Sequence, residues 1–464
     1  EPWSVDGTPW DFGHELLQPN LEQIADRLEF AFERIPVLGE VGIRQAINGP
    51  FTFGPDGNPM IGSVPGMTNY WCAVGVMAGF CQGGGVGLTL AQWMIDGAPE
   101  RDVFAMDVAR FGSWITPGYT LPKVIENYQN RFSVAYPNEE LPAARPFKTT
   151  AMYDEWNKMG AVWGQQFGLE VPNYFTQSDE PRFETPSFRR SNAWEATRRE
   201  VMAVRNAVGI NEVQNFGKYS VTGPGARAWI DRIMAGRVAR PGRLSLTPML
   251  SQQGRLIGDF TVSCLSQNAF QLTASYGAQA FHERWFRQHL DPDVTLENLS
   301  DQRTGFQIAG PKAFEVLSDV CQIQPLGMSF LDVRKMTLGL YDCLVQRVSY
   351  TGDLGYEIYV PTSQQIKLWE ILSETGKDLG LKPFGMRAMM SLRLDKSFGS
   401  WLREFRPDFS PVETFLDRFV SYNKTNDFIG KSAVTEAKRI GPKKLQCTFI
   451  VDAVDADVVA DEPI

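Results

Sequence analysis

Three groupings of residues have the types and spacing to do chemistry. Asp259 is the lone acid of the strand-like run Gly254-Arg-Leu-Ile-Gly-Asp-Phe-Thr-Val262. A fixed carboxylate in such a place can offset a cationic centre and accept or relay a proton. More commonly, a strand-edge Asp meets a backbone amide. Glu357 lies in Tyr350-Thr-Gly-Asp-Leu-Gly-Tyr-Glu-Ile-Tyr-Val-Pro361. Strand alternation places Glu357 and Tyr359 on one face and Tyr356, Ile358 and Val360 on the other. A strand carboxylate can accept a bidentate pair of hydrogen bonds, although its commoner fate is an exposed pair with Arg or Lys. The third grouping is Gly83-Gly84-Gly85-Val86-Gly87, which reads as a glycine-rich turn feeding a helix. Free N–H groups and the helix dipole there suit an anion, as a plain packing turn would also explain. The run is not G-x-G-x-x-G.

These residues need a frame. Tyr70 to Val76 reads as a buried strand, and Leu88 to Ile95 as a helix stopped by Asp96-Gly97. Upstream, Asn20 to Arg34 has amphipathic helix spacing with an Asn20/Gln23 cap. Leu121 to Arg131 reads as a helix, and Tyr136 to Pro146 as a linker with three prolines. Beyond it, helices are expected at Glu195–Arg205, Ala226–Met234, Ala278–His289, Pro311–Val320, Ser363–Gly376 and Arg387–Lys396. Strands are expected at Phe260–Leu265, Ala269–Ala274, Phe306–Ala309, Cys343–Tyr350 and Tyr356–Val360, with a fresh strand from Lys444. Hairpin-like strand pairs between helices predict an α+β domain.

The 464 residues suggest about three domains. Hydrophobic residues at 43% and charged residues at 21% exclude disorder, collagen and coiled coil as the main description. A net charge of −9 makes general nucleic-acid binding a poor expectation. Between Arg182 and Arg255, however, twelve Arg and one Lys face five acids. That surplus reads either as solvated helix faces or as attraction for an anionic ligand such as a polyglutamate tail. Gly57 to Ile95 holds no charged side chain. Prolines and glycines break it, and its most apolar piece is too short for the ~20 residues of a membrane span. Six scattered cysteines and three histidines assemble neither a zinc site nor a disulfide framework. Free thiols in a reducing compartment are expected.

Two regions resemble one family. Asn48-Gly-Pro, Pro-Asp-Gly-Asn-Pro-Met-Ile-Gly62, Asn69-Tyr-Trp-Cys-Ala-Val-Gly75 and Gly83-Gly-Gly-Val-Gly87 resemble the last part of the flavin domain of amine-oxidising flavoenzymes of the D-amino-acid-oxidase type. The segments around Asp259 and Glu357, with Ser391-Leu-Arg-Leu-Asp-Lys396 and Asp427-Phe-Ile-Gly-Lys431, are similar to the aminomethyltransferase (T-protein) of the glycine cleavage system. Their fusion resembles the dimethylglycine and sarcosine dehydrogenase family over nearly the whole chain.

The resemblance implies an FAD-domain tail over 1–97, a connecting domain over 98–150, a folate-binding α+β domain over 151–440 and the start of a β-barrel over 441–464. It implies FAD and tetrahydrofolate as cofactors and a small N-methyl amine as substrate. The expected setting is a bacterial cytoplasm or a mitochondrial matrix. Pro59, Met60, Gly62, Gly83, Gly84, Gly85 and Gly87 would border the flavin. Asp259 would lie beside the reacting folate nitrogens, and Glu357 would hold the amino-pyrimidine edge of the pterin. The family's Ala-Arg-Asp-Ser-Leu-Arg-Leu-Glu pattern has an Arg where this chain has Met389, so Arg387 is the remaining candidate for the glutamate tail. The family's Ser-Asn is also absent around Ala274-Ser275-Tyr276. Trp401 could cover an aromatic ring, or serve as a core aromatic. Starting at Glu1 and ending at Pro463-Ile464, the chain is expected to be a piece of something longer. The upstream nucleotide-binding unit, the amine-oxidation base and most of the barrel are then outside it.

Overall fold

The computed structural model describes residues 11–13, 15–50, 52–321 and 327–458. His14, Phe51 and both chain ends lie outside the described residues. A 3-10 turn (Glu22–Ile24) leads into helix α1 (Ala25–Arg34), and the Gln23 amide donates to Asn20 Oδ1 at 3.4 Å, as the cap reading requires. Strands β1 (Met60–Ser63) and β2 (Trp71–Val74) pair antiparallel. The expected buried strand over 70–76 is therefore shorter, and Tyr70 and Val74 are half exposed. Only β1 pairs with it among the described residues, so its other edge stays uncovered.

Helix α2 (Gly79–Asp96) corrects the turn expected at Gly83–Gly87. The Cys81 and Gln82 amides already donate to the Ala78 carbonyl, so the glycines lie inside the helix. Burial of Val86 and Trp93, seven residues apart, outweighs the poor helix propensity of glycine. Gly97 ends the helix at φ +78°, as expected. Helix α3 (Pro117–Asn130) follows, and 131–152 carries no strand or helix.

Helix α4 (Tyr153–Lys158) precedes a hairpin of β3 (Ala161–Gln166) and β4 (Leu169–Phe175), which the sequence did not reveal. Helix α5 (Ala193–Asn206) then leads to eleven further strands. They are β5 (Val208–Glu212), β6 (Phe216–Thr222), β7 (Arg243–Leu250), β8 (Leu256–Ser266), β9 (Ala269–Ser275), β10 (Thr295–Asn298), β11 (Arg303–Ala309), β12 (Val333–Leu338), β13 (Tyr341–Gln346), β14 (Gly355–Pro361) and β15 (Leu381–Pro383). Two sheets result, ordered β10-β6-β9-β8-β7 and β12-β13-β14-β11-β5-β15. β13 stops at Gln346 rather than Tyr350, where the chain turns away and the Arg347 amide reaches the Asp332 carbonyl.

Alternation decides how the sheets pack. Tyr219, Val262, Phe270 and Leu272 of the first sheet bury against α6 (Ala226–Ile233) and α7 (Gln279–Gln288), around Trp229 and Phe286. Ile210, Phe306, Val345 and Ile358 of the second bury against α8 (Ala313–Val320), α9 (Gln365–Gly376) and Trp156. Each such large apolar side chain contributes roughly 2–3 kcal/mol of transfer free energy. Helices thus cover the two outer faces, and the inner faces meet in a seam. Within the second sheet, Gly305 of β11 lies against β14: at φ +147°, a Cβ would sit 1.8 Å from the Ile358 carbonyl oxygen.

Helices α10 (Met386–Leu394) and α11 (Lys431–Ile440) complete the domain. The strand expected from Lys444 does not form, because no described strand lies beside 445–458 to take its N–H and C=O groups. Instead Arg190 clasps that segment, donating to the Val454 carbonyl and to both Asp457 oxygens. A buried ion pair ties the first 110 residues to this domain. Arg284 on α7 donates to Asp107 Oδ1 and to the Ser63 carbonyl, each at 2.8 Å, and its second Nη meets Asp107 Oδ2.

Candidate functional site

The two inner faces are polar. From β8 come Asp259, Thr261 and Ser263, from β9 Gln271 and Thr273, and from β6 Lys218. The facing sheet presents one row in register, Gln346 (β13), Glu357 (β14), Gln307 (β11) and Asn211 (β5). Arg303 of β11 donates to Gln271 of β9 at 2.6 Å, which shows that the faces touch. Leu244, Val333, Leu344 and Tyr359 close one end with an apolar cluster.

Glu357 is buried, and Tyr359 donates its hydroxyl to Oε2 at 2.7 Å, confirming the shared face. Burial pushes its carboxyl up to about 7, against the Tyr359 bond and the Lys218 charge. Lys218 is fully buried and donates to the carbonyls of Val213, Gln214 and Phe216 at 3.0, 3.3 and 2.7 Å. Burial pulls it down to about 7, while Asp301, Glu357 and Glu212 favour its charged form. Nearby Glu212 is also held up to about 7 by burial, but Trp156, Gln365 and Thr150 satisfy both its oxygens. Glu212 is thus a structural carboxylate.

Among the described residues, several seam atoms find no partner: Ser263 Oγ, Gln271 Nε2, Gln307 Oε1 and both amide atoms of Gln346. Native interiors leave few such groups, and each normally has a reason. Gathered on facing surfaces, they make this an unusually polar interior.

Asp259 is half-buried on β8 and has no hydrogen bond or ion pair to another residue among the described ones. Burial raises its carboxyl to about 6, its own backbone amide opposing. It lies close enough to Tyr350 for its charge to push that hydroxyl up further; the hydroxyl donates to the Gly399 carbonyl at 2.6 Å. Arg393, which also acts on Tyr350, pairs with Glu404 at 2.8 Å and leaves Nε without a partner. Trp401 is a core aromatic, packed on Phe281 and His282. His282 is kept neutral by burial, with its pKa pulled down to about 3, and its Nε2 donates to the Ile257 carbonyl.

Other expected residues lie elsewhere. Arg387 forms a two-pronged ion pair with Glu184, which neutralises it. Met389 is packed in a small apolar core with Val204 and Phe384, where a guanidinium has no polar partner. The arginine surplus dissolves in three dimensions. Arg189, Arg190, Arg205 and Arg243 pair with Asp455, Asp457, Asp353 and Asp332, acids from outside the counted stretch. Gly83, Gly84, Gly85 and Gly87 form an open surface on α2, with nothing within 4 Å of where a Cβ would be. Gly62 of β1 has a nearer cause, since a Cβ would strike the Trp93 ring at 2.7 Å. Pro59 and Met60 lead into the same strand.

Gln307, Gln346, Lys218 and Tyr350 were not singled out from the sequence. Gln307 and Gln346 alternate with the core residues Phe306, Ile308 and Val345, so the local pattern alone reads them as solvent-facing.

The model of the GCVT N-terminal domain matches residues 152–424, more than half of the chain. The chain belongs to the GCVT N-terminal domain family. The FAD dependent oxidoreductase central domain matches 96–150. The chain is 33% identical over 467 residues to mitochondrial dimethylglycine dehydrogenase of Mus musculus, a match covering 100% of this chain and 54% of that protein. It is 26% identical over 455 residues to the mitochondrial pyruvate dehydrogenase phosphatase regulatory subunit of Mus musculus, covering 95% of this chain and 53% of that protein. The chain thus spans about half the length of the curated relatives it matches. The crystal structure of glycine cleavage system aminomethyltransferase T from Bartonella henselae shares the GCVT fold at 21% identity and TM-score 0.56, over 64% of this chain and 76% of that one.

Proposed function

We propose that this chain is the folate-facing part of an FAD-dependent enzyme that oxidatively demethylates an N-methylated glycine-type amine, dimethylglycine or sarcosine. The one-carbon unit would pass to tetrahydrofolate as 5,10-methylenetetrahydrofolate. The observation that carries this reading is the buried seam, whose inner faces carry Glu357 with its orphaned neighbours on one sheet and Asp259 on the other. Glu357 would accept two N–H groups of the pterin's amino-pyrimidine edge, an arrangement that needs the ionised carboxylate. Asp259, unpartnered and partly open, would take the proton that the reacting folate nitrogen sheds and offset its positive charge. Exclusion of water by the seam would protect a reactive one-carbon intermediate. FAD would supply the removal of hydride from the N-methyl carbon; the open glycine surface of α2, with Pro59 and Met60, offers it a backbone-lined bed. A mitochondrial matrix or a bacterial cytoplasm would provide both cofactors.

A regulatory protein of the same architecture is the second reading, favoured by the likeness to a regulatory subunit. Calorimetric titration with 5-formyltetrahydrofolate separates the two on the folate side. Binding is expected at pH 8, weakening as pH falls below about 7 by up to tenfold per unit as Glu357 protonates. Glu357→Gln should weaken binding at pH 8 and flatten that dependence. A wild-type chain that ignores the ligand at every pH sinks the folate half. The oxidase half is tested in the natural full-length protein, which must show a flavin absorbance band when purified.

A further inference from the structure

We propose that Gln346 and Gln307, on the strands either side of Glu357, are recognition residues for the two stretches of ligand edge that flank the one Glu357 holds. This rests on the folate reading above. The three residues stand directly opposite one another across β13, β14 and β11. Such neighbours have side chains roughly 5 Å apart on one face, close to the distance between the amino nitrogen and the carbonyl oxygen at the two ends of a pyrimidine edge.

Their hydrogen bonds give the row a polarity. Asn211 donates its amide to the Phe384 carbonyl at 2.6 Å, and so turns its own oxygen towards Gln307. Gln307 Nε2 donates to that oxygen at 3.3 Å. Gln307 is therefore held with Oε1 outward, buried and unpartnered, as a fixed acceptor. On the other flank Gln346 is fully buried, and neither its donor nor its acceptor is used. Tyr359 donates to Glu357 Oε2, and Oε1 has no donor among the described residues.

On the edge of a reduced pterin, the ring N–H and amino N–H that a carboxylate accepts together lie between the C4 carbonyl on one side and the second N–H of the amino group on the other. A fixed acceptor, a carboxylate and an amide donor in one row complement that sequence of groups. Gln307 takes the second amino N–H and Gln346 donates to the carbonyl. Without a ligand, burying Gln307 Oε1 and both amide atoms of Gln346 unpartnered only costs stability. Their retention therefore has opposite signs for folding and for binding, and the test reads both.

Gln346→Met and Gln307→Met keep side-chain length and remove the polar atoms. In the chain as it stands, each is expected to raise the Kd for 5-formyltetrahydrofolate about tenfold or more. Gln346→Met should leave the ligand-free Tm unchanged or higher, whereas Gln307→Met also strips Asn211 Oδ1 of its donor and should lower Tm by a few degrees at most. A Kd within twofold of wild type overturns the proposal, since the glutamines would then be internal strain alone. Failure of both variants to fold also overturns it, by making the amides part of the frame. If the wild-type chain itself binds no folate, the underlying reading fails instead, so the two failures are distinguishable.

Discussion

Asp259→Ala is expected to slow tetrahydrofolate-dependent one-carbon transfer by about 10²–10⁴-fold, the range set by losing a positioned acid–base group. Methylenetetrahydrofolate formation by the natural full-length protein is the measurement. Affinity for 5-formyltetrahydrofolate should change only a few-fold, because on the proposed reading Glu357 and its row would hold the ring. The wild-type rate should fall below about pH 6, where the Asp259 carboxylate protonates, and this limb should vanish in the variant. Stability should move the other way. A carboxyl raised from 3.8 to about 6 in the folded state binds protons better folded than unfolded. The penalty of burying it is full above pH 6 and gone near pH 4. Asp259→Asn should thus raise Tm at pH 7 and lose that gain near pH 4. Wild-type turnover in either variant would remove Asp259 from the chemistry.

The second large effect concerns the joint between the first 110 residues and the GCVT domain. Asp107 is 1% exposed; it caps a 3-10 turn through the Ala109 amide at 2.8 Å and receives both Arg284 nitrogens. Arg284 also lies over the Trp93 and Phe281 rings. Arg284→Ala leaves the Asp107 charge buried without its partner, and should cost about 3–5 kcal/mol in urea unfolding. The double change Asp107→Leu/Arg284→Met should recover most of that loss, since an apolar pair avoids desolvating two charges. A single-variant cost below about 1 kcal/mol would show that water reaches the joint and replaces the pair.

Much of the frame was legible because periodicity is local. The pattern of Gly355–Pro361 placed Glu357 and Tyr359 on one face, and they are found hydrogen-bonded there. The helices over 226–233, 279–288 and 365–376 followed from apolar spacing. What escaped was decided by distant partners. The short strand β5 gains its place only between β11 and β15, from far along the chain. The glycine run looked like a turn until burial of Val86 and Trp93 made it helix. Arginine charge counted along the sequence ignored acids such as Asp353 and Asp457 that fold back onto it. At the site, Asp259 and Glu357 stood out singly. That Gln307 and Gln346 share a row with Glu357 depends on register, which no single segment encodes.

The seam also has a bearing on how the domain comes apart. Each sheet owns an apolar core with its own helices, one around Trp229 and Phe286 and one around Trp156 and Phe306. Between them lie polar groups, closed by apolar packing at one end only. Such halves are natural cooperative units that can open separately. A ligand bridging both sheets favours only the state in which both are intact, so its binding energy adds to each half at once. If the seam holds its ligand as proposed, that ligand would act as mortar, and the loaded domain would unfold as a single block where the empty one opens along its middle.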